Sequence, residues 1–317
     1  EGHAVPIVYA AACKLGVVVG KDPEKRRKLT MADTRKLREA DSELDGHPNP
    51  MEGFPFFDAA TGSLGQGLSV AAGLGEAARL DGIDRRIFCI CGDGESREGQ
   101  ITEALDYIID HGLTNVLPIF NCNEYGQADR VSQQQSADRL NARLQSMRFT
   151  VKLIDGHNPT QIKAAFDAFI ESSQATGGKQ IAVVAKTVKG WGSATMQGGG
   201  WHGKPATGDA LKKALAELDE KRVQLTSSLA SSDAFEIQPP PQAAPREYSQ
   251  GELPALSAAM KKFDMTSVLH TGKLATRRAY GIALRALGQV NDRVVVLDAD
   301  VSNSTFADMF GKDSELK

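Results

Sequence analysis

The sequence predicts an α/β protein built on a doubly wound parallel sheet, followed by the start of a second α/β domain. Between residues 86 and 188, short β-branched and apolar runs alternate with longer helix-forming stretches, the pattern of a parallel sheet covered on both faces. A glycine-opened segment from Ala60-Thr61-Gly62-Ser63-Leu64-Gly65 onward repeats small residues at helical spacing, which suits a helix packed closely on a neighbour. After a proline- and serine-rich interval, a helical stretch and an apolar run appear again.

The elements follow in order. The text from Glu1 to Cys13 opens inside a motif and reads as part of a longer chain. Residues 23–45 are rich in charge and predict a helix, and the glycine-opened helix comes next. Strands are predicted over 86–91, 115–121, 150–154 and 180–188, with helices over 98–111, 138–147 and 160–172 between them. Residues 225–270 contain Pro239-Pro240-Pro241, Pro245 and Pro254; consecutive prolines cannot continue a helix or a central strand, so this interval reads as a linker. Residues 275–284 predict a helix and 293–297 a buried strand ending in Asp298-Ala299-Asp300. The expected organisation is a diphosphate- and metal-binding domain over 1–224, the linker over 225–270, and over 271–317 the opening of a second domain too short to bury a core of its own.

Composition narrows the function classes. The chain has 317 residues, 41% hydrophobic and 24% charged, with a net charge of −3, the balance of a folded globular protein with no general attraction for nucleic acid or an anionic membrane. No apolar run approaches the ~20 residues that span a bilayer, and no signal-peptide pattern is present, so the expected location is the cytoplasm. The four cysteines, Cys13, Cys89, Cys91 and Cys122, lack zinc-ligand spacing and read as reduced core thiols; Cys89 and Cys91 alternate on a strand and point the same way.

The chemistry concentrates in Cys91-Gly92-Asp93-Gly94-Glu95-Ser96-Arg97-Glu98 and in Asn121-Cys122-Asn123-Glu124-Tyr125-Gly126-Gln127. The first lies where a buried strand gives way to a helix, a place where anions bind. Gly92 and Gly94 let backbone approach a diphosphate, and Asp93 offers a hard oxygen to a divalent cation. A neighbouring parallel strand would bring the Asn123 amide oxygen and the Tyr125 carbonyl to the same sheet edge. Three protein oxygens and two from a diphosphate then make a magnesium-like octahedral site with room for water. A Gly-Asp-Gly alone is a common turn; the Gly-Asp-Gly followed at this remove by an asparagine pair resembles, in order and spacing, the fingerprint of the thiamine diphosphate-dependent enzymes.

With Gly2-His3-Ala4, Asp45-Gly46-His47-Pro48, the segment Ala60 to Gly67, Gly126-Gln127-Ala128-Asp129, Ala185-Lys186-Thr187, Trp201-His202-Gly203-Lys204-Pro205 and Ala275-Thr276-Arg277 in order, the chain resembles the transketolase family, in particular its animal-type branch. The resemblance implies thiamine diphosphate as cofactor with Mg²⁺ or Ca²⁺, transfer of a two-carbon ketol unit between sugar phosphates, and a homodimer with the active site at the subunit interface. It implies that Asp93, Asn123 and the Tyr125 carbonyl hold the metal, and that Gly62, Leu64, Gly92, Gly94, Glu98, Asn123, Gln127, Lys189 and Asp300 lie at or near the cofactor. In the same way His3, His47 and His202 are implied as the active-site histidines, and Arg277 and Ser304 as the sugar-phosphate site. Imidazoles suit this work because a substrate hydroxyl must lose a proton near neutral pH. Of six histidines, His111 reads as a helix-end residue, and His157 and His270 as loop residues. Glu1 stands where the family commonly has lysine, and the family's activating glutamate is expected beyond Lys317. A deoxyxylulose phosphate synthase or a 2-oxo acid dehydrogenase component shares the fingerprint but not His47, His202 and Arg277 together, and a non-catalytic thiamine-binding relative is the alternative from another class.

Overall fold

The computed structural model describes residues 1–227, 247–313 and 316. Contacts divide the chain into two units, Glu1–Pro241 and Gln242–Lys317.

The first unit begins with α1 (Val5–Lys14), a two-residue hairpin of β1 (Val18–Val19) and β2 (Arg27–Lys28), and a single helical turn, α2 (Met31–Thr34). The long helix expected over 23–45 does not form. The segment lacks an apolar stripe to bury, and Leu29 and Leu44 instead enter a small core with Val5, Tyr9, Val19 and Phe54, against which Leu37 packs partly buried. Arg27 ties the excursion together by donating to Asp33 at 2.8 and 2.9 Å and to Glu43 at 3.2 Å.

α3 (Gln66–Asp81) then leads into β3 (Ile87–Gly92), α4 (Gly99–Asp110), β4 (Val116–Cys122), α5 (Ala137–Ser146), β5 (Thr150–Asp155), α6 (Pro159–Gln174), β6 (Ile181–Lys186) and α7 (Gly208–Thr226). The four strands β3 to β6 are parallel in the order β3-β4-β6-β5. Residues of one parity, Cys89, Cys91, Phe120, Cys122 and Val184, pack with α3, α4 and α5; those of the other, Leu117, Ile181, Val183 and Ala185, pack with Ala165 and Phe169 of α6. Helices on both faces make this the expected α/β sheet. Cys89 and Cys91 do face the same way, their Sγ atoms 3.8 Å apart.

The second unit contains α8 (Leu256–Lys262), α9 (Thr266–Thr271), α10 (Thr276–Val290), α11 (Ser302–Thr305) and α12 (Asp308–Gly311). Its core joins Ala259 and Met260 to Ile282 and Ala286. Two expectations change here. The linker over 225–270 is helical in part, since α7 runs into it to Thr226, α8 lies within it and α9 begins within it, His270 included; the triple proline lies outside the described residues. Residues 293–297 form no strand, and Val295 and Leu297 are 59% and 77% exposed. A parallel strand needs a neighbour to take its N–H and C=O groups, and among the described residues of this unit none does so beyond a lone bridge between Gln250 and Asn291.

Candidate functional site

The carboxyl ends of β3 and β4 are in register, Gly92 opposite Asn121, and the Asp93 N–H donates to the Asn121 carbonyl at 3.2 Å. This brings the two motif loops side by side. Asp93 is 2% exposed. Its Oδ1 accepts the Gly94 N–H at 2.7 Å and its Oδ2 the Glu124 N–H at 2.6 Å. Glu124 has φ of 67°, a left-handed kink that carries the chain back across the Asp93 carboxylate, while Asn123 Oδ1 accepts the Tyr125 N–H at 3.0 Å. Burial raises the Asp93 pKa, partly offset by these N–H donors. Among the described residues no lysine or arginine pairs with this buried carboxylate, and a hard oxygen of this kind suits a divalent cation.

A histidine cluster stands in the same unit. Tyr9 of α1 donates its hydroxyl to the Asp45 carbonyl at 2.9 Å, fixing the Asp45-Gly46-His47 turn. The His47 ring then packs on Gly2 and Gly62, where an added Cβ would lie 2.9 and 3.1 Å from its Cδ2. His3 lies 4.9 Å from His47 between ring centres, and His3 Nδ1 shares a 2.7 Å hydrogen bond with His202 Nε2. His202 Nδ1 is 3.2 Å from Lys189 Nζ, which donates to the Gly126 carbonyl at 2.7 Å. The chain of contacts from His47 through His3, His202 and Lys189 therefore ends on the loop that holds Asn123 and Tyr125. Burial lowers the pKa of His3, His202 and Lys189; neighbouring positive charge adds to it for the two histidines.

The remaining expected residues are more dispersed. Leu64 is exposed and its carbonyl accepts from Gln100 at 3.3 Å, Glu98 precedes α4 and is exposed, with no side-chain capping bond, and Gln127 is exposed beside Gly126. In the second unit Arg277 lines a hollow with Thr276, Tyr280, Asp298 and Thr305, its guanidinium 5.7 Å from the Phe306 ring centre. Ser304 is exposed on α11, and Asp300 is exposed with φ of 68°.

Residues 2–224 match the family described as transketolase, thiamine diphosphate binding domain. The chain belongs to the transketolase family. It is 35% identical to mouse transketolase-like protein 2 over 99% of its length, and 34% identical to human transketolase over 99%. It spans about half the length of these relatives, 45% of each. Among solved structures, transketolase from Leishmania mexicana gives a TM-score of 0.60 at 20% identity, covering 96% of this chain and 47% of that one. Transketolase from Campylobacter jejuni gives 0.58 at 22%, covering 87% and 45%. At such identities the structural likeness speaks for the fold, the parallel α/β sheet of the transketolase thiamine diphosphate-binding domain. No helix among the described residues is long and apolar enough to cross a membrane.

Several contacts around the site go beyond what the sequence predicts. Gln135, 5% exposed, donates to the carbonyls of Asp93 and Gly94, both at 3.0 Å. Its Oε1 takes the Ser132 N–H at 3.1 Å in a capping box, and the Ser-x-x-Gln spacing was the available signal. Asn121 accepts the Thr187 hydroxyl at 2.5 Å and donates to the Glu1 carboxylate at 2.9 Å. His157, expected as a loop residue, accepts the Val188 N–H at 2.9 Å and stacks on Trp191. His111 stacks on Tyr107 at the end of α4. Only the three-dimensional pairing reveals these last roles.

Proposed function

We propose that this transketolase-family chain binds thiamine diphosphate with a divalent cation, and that within a longer or completed assembly it serves the reversible transfer of a two-carbon ketol unit between sugar phosphates. Asp93, Asn123 and the Tyr125 carbonyl would hold Mg²⁺ or Ca²⁺, with backbone of Gly62, Leu64, Gly92 and Gly94 against the diphosphate and Gln127, Lys189 and Glu98 nearby. When bound, the cofactor supplies a nucleophilic thiazolium carbon and an electron sink for breaking a carbon–carbon bond. The protein's own share is orientation and proton handling. His3 and His202, both held toward the neutral form, can take a proton from a substrate hydroxyl, and their shared hydrogen bond passes it between rings. Lys189 orients His202 while anchored on the Gly126 carbonyl. Arg277 and Ser304 would take the sugar phosphate, since a guanidinium meets phosphate as a planar fork, and Asp300 would approach the cofactor from a partner subunit.

The observation that carries this reading is the buried Asp93 carboxylate, in no salt bridge with a lysine or arginine among the described residues, between the Gly92-Asp93-Gly94 turn and the Asn123 loop. Asp93→Ala tests it. Titration calorimetry is expected to show magnesium-dependent binding of thiamine diphosphate by the wild-type chain and its loss in the variant, with the circular dichroism spectrum retained. Equal binding by both would remove Asp93 from the metal site.

A further inference from the structure

One buried acid beside the proposed cofactor site has no part in the proposed chemistry. Glu95 is 8% exposed, in the short turn that follows Gly94. Its Oε1 accepts the Gly65 N–H at 2.8 Å, and its Oε2 accepts the Gly92 N–H at 3.0 Å. Gly65 caps α3 with φ of 87° and directly follows Gly62-Ser63-Leu64; Gly92 ends β3 and directly precedes Asp93. The side chain thus bridges two stretches of backbone that are distant in sequence. Its Oε2 also lies 3.5 Å from the Glu1 α-amino group, but the bridge needs only the two backbone donors.

The choice of acid is informative. A carboxylate accepts on both oxygens, whereas the amide of glutamine would turn an NH₂ against one of the two N–H groups. A buried negative charge near a site for a diphosphate is costly, and accepting from two fixed backbone donors is what offsets that cost. We propose that Glu95 is a positioning residue, setting the separation of the 62–64 and 92–94 backbone segments so that both grip a single diphosphate. The inference rests on the thiamine diphosphate reading above and extends it to a residue outside the cofactor contacts proposed there.

The test uses the isosteric variant Glu95→Gln in two arms. In the cofactor-free chain, amide exchange resolved at single residues is expected to show Gly65 and Gly92 protected in the wild type, and one or both exchanging about tenfold faster in the variant, the scale for losing a charge-assisted hydrogen bond. By calorimetry with Mg²⁺, the variant is expected to bind thiamine diphosphate about tenfold more weakly while its affinity for thiamine monophosphate changes by less than about threefold, because only the diphosphate engages both segments. Wild-type exchange at the solvent rate at either glycine would overturn the bridge without need of a folded variant. A variant that exchanges as the wild type, or that loses both ligands equally, would overturn the positioning role. Failure of the wild-type chain to bind thiamine diphosphate would instead remove the cofactor reading, and the exchange arm would still decide whether the bridge exists.

Discussion

The loop between β6 and α7 carries Lys189 and His202, and His157→Ala should loosen it. His157 Nε2 accepts the Val188 N–H at 2.9 Å, and its ring lies 4.5 Å from Trp191 at 7° to its plane, with Lys221 5.1 Å from the same indole. The hydrogen bond contributes about 1 kcal/mol net and the ring pair about 0.5–1.5 kcal/mol. Partial exposure trims the sum to about 1.5 kcal/mol, which for a unit of this size lowers the thermal midpoint by about 3–6 °C. Circular dichroism melting measures the shift, and tryptophan emission reports the lost stack. His157→Phe keeps the ring without the acceptor and should recover about half of the loss. A midpoint within about 1 °C of wild type, with unchanged emission, would refute the reasoning.

The same contact has a pH signature. Accepting the Val188 N–H requires a bare Nε2, so protonation removes what the alanine variant removes. Burial, with Lys221 adding and Asp155 opposing, lowers the His157 pKa below 6.5. A depressed folded-state pKa means that the contribution is complete above pH 6.5 and is lost as pH falls through the lower folded value. The gap in melting midpoint between wild type and His157→Ala should therefore be full above pH 6.5 and close in mild acid.

In the core, Gly75→Ala places a Cβ 2.3 Å from Val116 Cγ2; overpacking should outweigh the gain in helix propensity and cost about 1–2 kcal/mol by urea denaturation. Val116→Ala in the same chain should restore part of it, and strict additivity of the two losses would show that the predicted clash is absent. At the site, His202→Ala in a catalytically complete protein should reduce turnover more than cofactor affinity, read from steady-state kinetics beside calorimetry; an equal loss of both would mark His202 as structural.

Legibility differed from element to element for physical reasons. β3 to β6 and the helices between them could be read because each strand is a short apolar run bounded by turn residues. The Gly92-Asp93-Gly94 and Asn123 loops were legible as a pair because parallel strands present their carboxyl ends together. Residues 23–45 misled because charge alone does not make a helix: Leu29 and Leu44 gained more by joining Tyr9 and Phe54 than a helix there could bury. Residues 293–297 misled for the opposite reason. Their apolar pattern suits a strand, but a strand exists only with neighbours.

By itself the sequence determined the sheet, its order of strands and helices along the chain, and which residue types stand at the strand ends, because these follow from periodicity and local chemistry. Tertiary structure alone decided that His3 meets His202, that Lys189 reaches Gly126, and that Glu95 joins Gly65 to Gly92. Such contacts join residues distant along the chain, and a distance between two side chains is fixed by how the intervening elements pack, which no local pattern encodes.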